Sequence, residues 1–193
     1  WQLGPHSFDI LDGEHLIASW TRDSVWHLGT IKLANGELEE WATGWQPLGN
    51  VAATDGRVVM LAGNERELPG ISGGEVTVLR GSGDFGPAER GASLPETISW
   101  PSADGVTAHG FFYPPASVEH EGPEGELPPL IVQVHGGPSA MSRSVYDLKV
   151  QYWTSRGFAY LEVNYRGSTG YGRAFRRGLN GAWGVGEVED VIA

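Results

Sequence analysis

Hydrophobic and polar positions follow two rhythms along this chain. Over residues 1–92, short strand-like runs are separated by turn dipeptides: FDIL precedes Asp12-Gly13, EHLIASW and VWHLGTIKLA lead to Asn35-Gly36, and NVAAT and RVVMLAGN flank Asp55-Gly56. Asn-Gly and Asp-Gly favour type I′ turns, in which both central residues take positive φ, so each pair marks a hairpin. Turn centres roughly 20 residues apart correspond to ~40 residues per four strands, the length of one propeller blade. A generic antiparallel sheet or sandwich fits the same period. Two blades cannot close a ring, so on the first reading residues 1–92 are the last blades of a larger β-propeller.

The stretch GSGDFGPAERGASLP, residues 81–95, has no periodicity and reads as a linker. Beyond it the rhythm changes. ETISWPSADGVTAHGFFYPP predicts a hairpin around Asp104-Gly105, and EHEGPEGELPP is a polar loop. LIVQV, β-branched and flanked by Pro and Gly, predicts a fully buried strand. YDLKVQYWTSRG has helical spacing, with Leu148, Tyr152 and Trp153 on one side and Gly157 as the C-cap. FAYLEVNY is a second strand, and strand, helix, strand is a βαβ unit with a parallel pair. EVEDVIA opens a further helix, acidic in its first turn and apolar from Val191 to Ala193. The fold class is therefore α/β plus all-β, with residues 93–193 forming the α/β part.

Composition narrows the function. The chain has 193 residues, 40% hydrophobic and 19% charged with eight Trp, which suits a folded core rather than disorder. A formal net charge of −11 without a basic run repels nucleic acid. No window offers the ~20 apolar residues that span a bilayer, so no membrane partner is expected. The absence of cysteine excludes thiolate chemistry and fits a reducing, cytoplasmic setting. The six histidines are scattered without metal-ligand spacing, so neither a metal nor another cofactor is expected.

The candidate chemistry lies where LIVQV ends in His135-Gly136-Gly137-Pro138. A glycine-rich turn after a parallel strand leaves backbone N–H groups uncovered at the sheet edge where α/β proteins place ligands. One reading is an oxyanion loop of the HGG type found in α/β-hydrolases, where each donor is worth ~100 to 1000-fold in rate. The other is a tight turn that merely needs small residues.

VHGGPS, followed by VNYRGSTGYGRAF and then GAWGVGEVEDV, resembles the serine peptidases of the prolyl oligopeptidase group, most closely their acylaminoacyl-peptidase-like branch. The resemblance covers residues 96–193, and VWHLGTIKLANGELEEWATG is similar to the final propeller blades that precede the hydrolase domain in that group. It implies C-terminal blades of a β-propeller over 1–92, then the incomplete N-terminal portion of an α/β-hydrolase domain over 93–193. It further implies that Gly137 donates its N–H to the oxyanion while Gly136 and Pro138 shape the loop. His135 stands where related branches carry a donor tyrosine, and a core histidine bonded to backbone is its plainer reading. Arg166 matches the arginine that organises this sheet edge, with a structural ion pair as the equal alternative. Tyr165 supports the same edge, and Tyr165, Tyr171 and Trp183 are expected to pack.

Acyl-enzyme hydrolysis also needs a nucleophile, an acid and a base, in the order Ser, Asp, His. The resemblance puts all three beyond residue 193, which would leave this chain an inactive piece of a peptidase that cleaves short peptides or acylated N-terminal residues. The G-x-S-x-G match at Gly70–Gly74 lacks the strand-then-helix context of a nucleophile elbow, and Ser72 reads as a turn residue. Expected partners are the peptide substrate and, for the open sheet edge, the remainder of the parent chain or another copy. A noncatalytic binding module and an esterase of the same fold stay open as alternatives.

Overall fold

Alternating positions of the first half form two antiparallel meanders in the computed structural model, which describes residues 6–64, 70–73, 77–81, 91–137 and 139–193. Strands β1 (Phe8–Ile10), β2 (His15–Arg22), β3 (Val25–Lys32) and β4 (Leu38–Glu40) hydrogen-bond in chain order. Strands β5 (Gln46–Thr54), β6 (Arg57–Gly63), β7 (Gly70–Gly73) and β8 (Thr77–Arg80) do the same. Ile17 and Leu28 of the first sheet meet Val51, Val58, Met60 and Ala62 of the second in one buried cluster. Each such aliphatic side chain stabilises the pair by roughly 1.5–3 kcal/mol.

The turns follow the expected chemistry unevenly. Asp55 and Gly56 have φ of 49° and 71°, a type I′ pair. Asp12-Gly13 does not: the Asp12 carboxylate accepts from the amides of Glu14 and His15 at 2.7 and 2.8 Å, an Asx-type turn. Asp23 and Ser24, which carry no glycine signal, form a two-residue hairpin with φ of 51° and 61°. Tertiary contact explains the strain: Ser24 is fully buried, and its amide donates to the Gly170 carbonyl at 3.3 Å. Ser72 lies in β7, paired with Met60 and Val78, so it is a strand residue and not a turn residue. Most of the linker stretch, residues 82–90, lies outside the described residues.

The second half builds a mixed sheet. Strands β9 (Glu96–Pro101) and β10 (Thr107–Tyr113) form the hairpin around Asp104 and Gly105, whose φ values are 58° and 72°. Strand β11 (Leu130–Val134), helix α1 (Leu148–Thr154) and strand β12 (Ala159–Asn164) form the βαβ unit. The sheet order is β11-β12-β10-β9, with β12 parallel to β11 and antiparallel to β10. Two short helices, α2 (Gly172–Arg177) and α3 (Gly186–Ile192), follow.

Helix α1 covers one face through Val150 and Trp153, which pack on Phe111, Tyr113 and Tyr160. On the other face Val163, Tyr165 and Leu179 pack with Trp100, Leu161 and Val191. Two sequence expectations are corrected here. Leu148 and Tyr152 face solvent, while Val150 and Thr154 are the buried positions of α1. Strand β11 is not fully buried: it lies at the sheet edge, and Leu130, Val132 and Val134 are each 43–50% exposed. No described helix is long and apolar enough to cross a membrane.

Candidate functional site

The bend after Val134 brings together residues from three segments. His135, Gly136 and Gly137 follow β11, the 139–144 stretch leads toward α1, and Tyr165 to Thr169 follow β12. Neither Gly136 nor Gly137 lies in a helix or strand, and among the described residues no acceptor meets either amide N–H. Gly137 has φ of 58°, a conformation that Cβ-bearing residues seldom adopt. Pro138, the fourth residue of the predicted loop, lies outside the described residues.

His135 anchors this bend. Its Nε2 lies 2.7 Å from the Ser168 hydroxyl, which donates to the Tyr165 carbonyl at 2.6 Å. That hydroxyl has one proton to give, so it accepts from Nε2–H, which fixes the tautomer of the neutral ring. The ring stacks on Tyr165 with centroids 4.6 Å apart, and the Tyr165 hydroxyl donates to the His135 carbonyl at 3.0 Å. Burial pulls the imidazole pKa below its usual value against the Gly136 carbonyl, to which Nδ1 can donate only in the charged ring, and burial together with the Glu187 carboxylate pushes the Tyr165 hydroxyl up. Both rings therefore stay neutral near pH 7, and their geometry is that of supports rather than proton carriers.

The far side of the bend is held by Asn164, fully buried at the end of β12, whose Oδ1 accepts from the Ser142 amide at 2.8 Å. Thr169 donates to the Ala140 carbonyl at 2.9 Å. Arg166 sits behind this edge in a buried pair with Asp190 of α3. Its Nη2 donates to Oδ1 at 2.6 Å, its Nε reaches both carboxylate oxygens at 3.0 and 3.1 Å, and its backbone amide donates to Oδ2 at 2.6 Å. Burial alone would raise the Asp190 pKa, yet the bonds from Arg166 and Ser102 hold it below the carboxylate range. Arg166 thus ties α3 to the β9–β10 turn and the end of β12.

His135, Gly136, Gly137, Tyr165 and Arg166 are brought to one sheet edge, whereas Trp183 is 56% exposed and does not pack as expected. Tyr171 does pack, stacked on His109 with centroids 4.1 Å apart. Asn164, Ser168 and Asp190 were missed by sequence reasoning. A polar residue on a buried strand that is apolar apart from Glu162, as Asn164 is, was the available signal.

A mixed sheet with a parallel pair, a glycine bend at its carboxyl edge and a buried arginine behind it defines an α/β unit joined to antiparallel sheets. The sequence profile of the prolyl oligopeptidase family matches residues 144–193. It is 35% identical over 120 residues to the uncharacterized peptidase YuxL of Bacillus subtilis, covering 62% of this chain and 18% of that protein. Dipeptidyl aminopeptidase BIII of Pseudoxanthomonas mexicana is 36% identical over 104 residues, with 51% of this chain and 15% of that protein covered. The whole chain superimposes on 31% of a solved puromycin-hydrolyzing peptidase of Mycobacterium tuberculosis, with a TM-score of 0.93 and 33% identity. This chain therefore spans less than a third of the proteins it matches.

Proposed function

We propose that this chain is the part of a serine peptidase that supplies its oxyanion loop. On this reading residues 1–92 are the last propeller blades and residues 93–193 are the N-terminal portion of the α/β-hydrolase domain. The nucleophile, acid and base come from polypeptide that the longer relatives have in addition. The whole protein then cleaves short peptides or acylated N-terminal residues through an acyl-enzyme, and this chain alone is inactive.

The observation that carries the reading is the pair of amides at Gly136 and Gly137. Among the described residues they have no acceptor, and they sit at the carboxyl edge of β11 on a bend that His135, Tyr165 and Ser168 hold in place. Donors fixed before the reaction stabilise a developing oxyanion without reorganising, which is why they contribute strongly to rate. Strand β11 exposes Leu130, Val132 and Val134 at the sheet edge, and the remainder of the parent chain or another copy is proposed to cover them.

Two measurements test the proposal. A fluorophosphonate probe should label the intact protein and leave the 193-residue chain unlabelled, with labelling at Ser72 sinking the assignment. Replacing the Gly136–Gly137 peptide bond by an ester removes the Gly137 N–H and keeps its shape. In the intact protein this should lower kcat by ~100 to 1000-fold with little change in KM. An unchanged kcat would remove Gly137 from the oxyanion role.

A further inference from the structure

The glycine bend after β11 is held on both sides by the loop that follows β12. On one side the Ser168 hydroxyl accepts from His135 Nε2 at 2.7 Å, and the Tyr165 hydroxyl donates to the His135 carbonyl at 3.0 Å. On the other side the Thr169 amide donates to the Ala140 carbonyl at 2.9 Å. Asn164, at the foot of the loop, accepts from the Ser142 amide at 2.8 Å and donates to the Tyr171 hydroxyl at 3.5 Å. Gly170 and Tyr171, the next residues of the loop, meet the tip of the β2–β3 hairpin from the first half of the chain. The Ser24 amide donates to the Gly170 carbonyl at 3.3 Å, and the Tyr171 hydroxyl stands beside the Ser24 side chain. Met141, downstream of the bend, closes on the same spot: a Cβ on Gly170 would lie 2.9 Å from Ser24 Oγ and 3.1 Å from Met141 Sδ.

The hairpin tip is shaped for this seat. Asp23 and Ser24 take φ of 51° and 61° although neither is glycine, and such a conformation persists where the surroundings over-determine it. Here the surroundings are the loop, because Ser24 is fully buried against Gly170. The loop needs an outside support in return. With Gly167 and Gly170 at φ of 102° and 95°, its own backbone preferences fix it weakly. We propose that the Asp23-Ser24 tip is a positioning element for the oxyanion bend: it pins Gly170 and Tyr171, these fix Ser168 and Thr169, and Ser168 and Thr169 hold His135 and Ala140 on either side of Gly136 and Gly137. The inference rests on the oxyanion reading and extends it, since the donors carried by the second half of the chain then take their aim from the first half. Aim matters at such a site, where a displacement of about 1 Å caused far from the chemistry can cost on the order of 100-fold in rate.

Turnover of a short peptide anilide by the intact protein tests this, with active sites counted by fluorophosphonate titration so that misfolded molecules do not enter kcat. Ser24→Val puts a β-branched residue at positive φ and overfills a closed seat, and it should lower kcat by roughly 10- to 100-fold with KM unchanged. Ser24→Gly keeps the turn and should retain most of the parent kcat. In a Ser168→Ala background the loss caused by Ser24→Val should shrink to about 2-fold, because the support it acts through is already cut. An unchanged kcat in Ser24→Val, a loss carried by KM, or a loss of equal size with and without Ser168 would overturn the proposal. The ester at Gly136–Gly137 separates the two readings. If it leaves kcat unchanged, the oxyanion role and the hairpin's part in it fall together; if it lowers kcat while Ser24→Val does not, the hairpin's part alone is refuted.

Discussion

Arg166 shows how much of this site is decided by one pair of side chains. It is 5% exposed and Asp190 is 0% exposed, so each charge depends on the other for the interactions that water would otherwise supply. Removing one partner of a buried pair leaves an uncompensated charge, a loss of ~3–5 kcal/mol, whereas replacing both by apolar side chains is often close to neutral. Asp190→Ala should therefore lower stability by that amount in urea unfolding, and Arg166→Met with Asp190→Leu should recover most of it. A single variant as stable as the parent would show that the pair is not the clamp. Arg166 was visible in the sequence as NYRGS, but its partner was not. Asp190 sits in an acidic first turn that reads as ordinary helix-end electrostatics, and only the docking of α3 turns it inward.

At the scale of elements, β12 is the most informative strand. Its neighbours β11 and β10 pair with it on both edges, and helices cover both faces, so FAYLEVNY had to accommodate Glu162 and Asn164 in the interior. Glu162 accepts from the Tyr113 hydroxyl at 3.4 Å and from Gln133 Nε2 at 3.3 Å. Burial, with the Asp147 carboxylate next, raises its pKa from 4.5 to about 7, against the pull of Lys149 and Tyr113. Between those two values the folded chain keeps a proton that the unfolded chain has released, so stability falls as pH rises through that window. Glu162→Gln should flatten this dependence, with a gain on the order of 3 kcal/mol at pH 8 and almost none near pH 4. Parallel pH slopes for the two proteins in thermal unfolding would refute the assignment.

Helix α1 shows why element existence was easier to read than orientation. In seven residues, Leu148 and Tyr152 form one apolar stripe and Val150, Trp153 and Thr154 another. Periodicity cannot choose between two stripes in so short a helix. The sheet chooses, because Phe111, Tyr113 and Tyr160 leave a surface that Val150 and Trp153 fill.

Across the whole molecule the two halves meet at a few specific contacts. Ser24 donates to Gly170, Tyr146 donates to the Asn64 carbonyl at 2.7 Å, and Gln46 bonds Ser144. A Cβ on Gly170, which has φ of 95°, would stand 2.9 Å from Ser24 Oγ, so only glycine lets the β2–β3 hairpin seat there. The opposite boundary is open, since β11 presents Leu130, Val132 and Val134 without cover at an edge that carries no charged residue. Such an edge recruits other strands. The 193-residue chain by itself should associate in a concentration-dependent way on sedimentation, and Val132→Lys should reduce association without lowering the melting temperature. A monomer with strongly protected amides across residues 130–165 would argue that the edge needs no partner.

The residues alone determined the hairpin grammar, the βαβ unit and the glycine bend after Val134, because turn chemistry and hydrophobic period act over a few neighbouring positions. The I′ hairpin at Asp23-Ser24, the exposure of β11, the buried face of α1 and the pairing of Arg166 with Asp190 were decided by tertiary structure. Each depends on surfaces from segments distant in sequence, and burial, unlike φ preference, is a property that no local window contains.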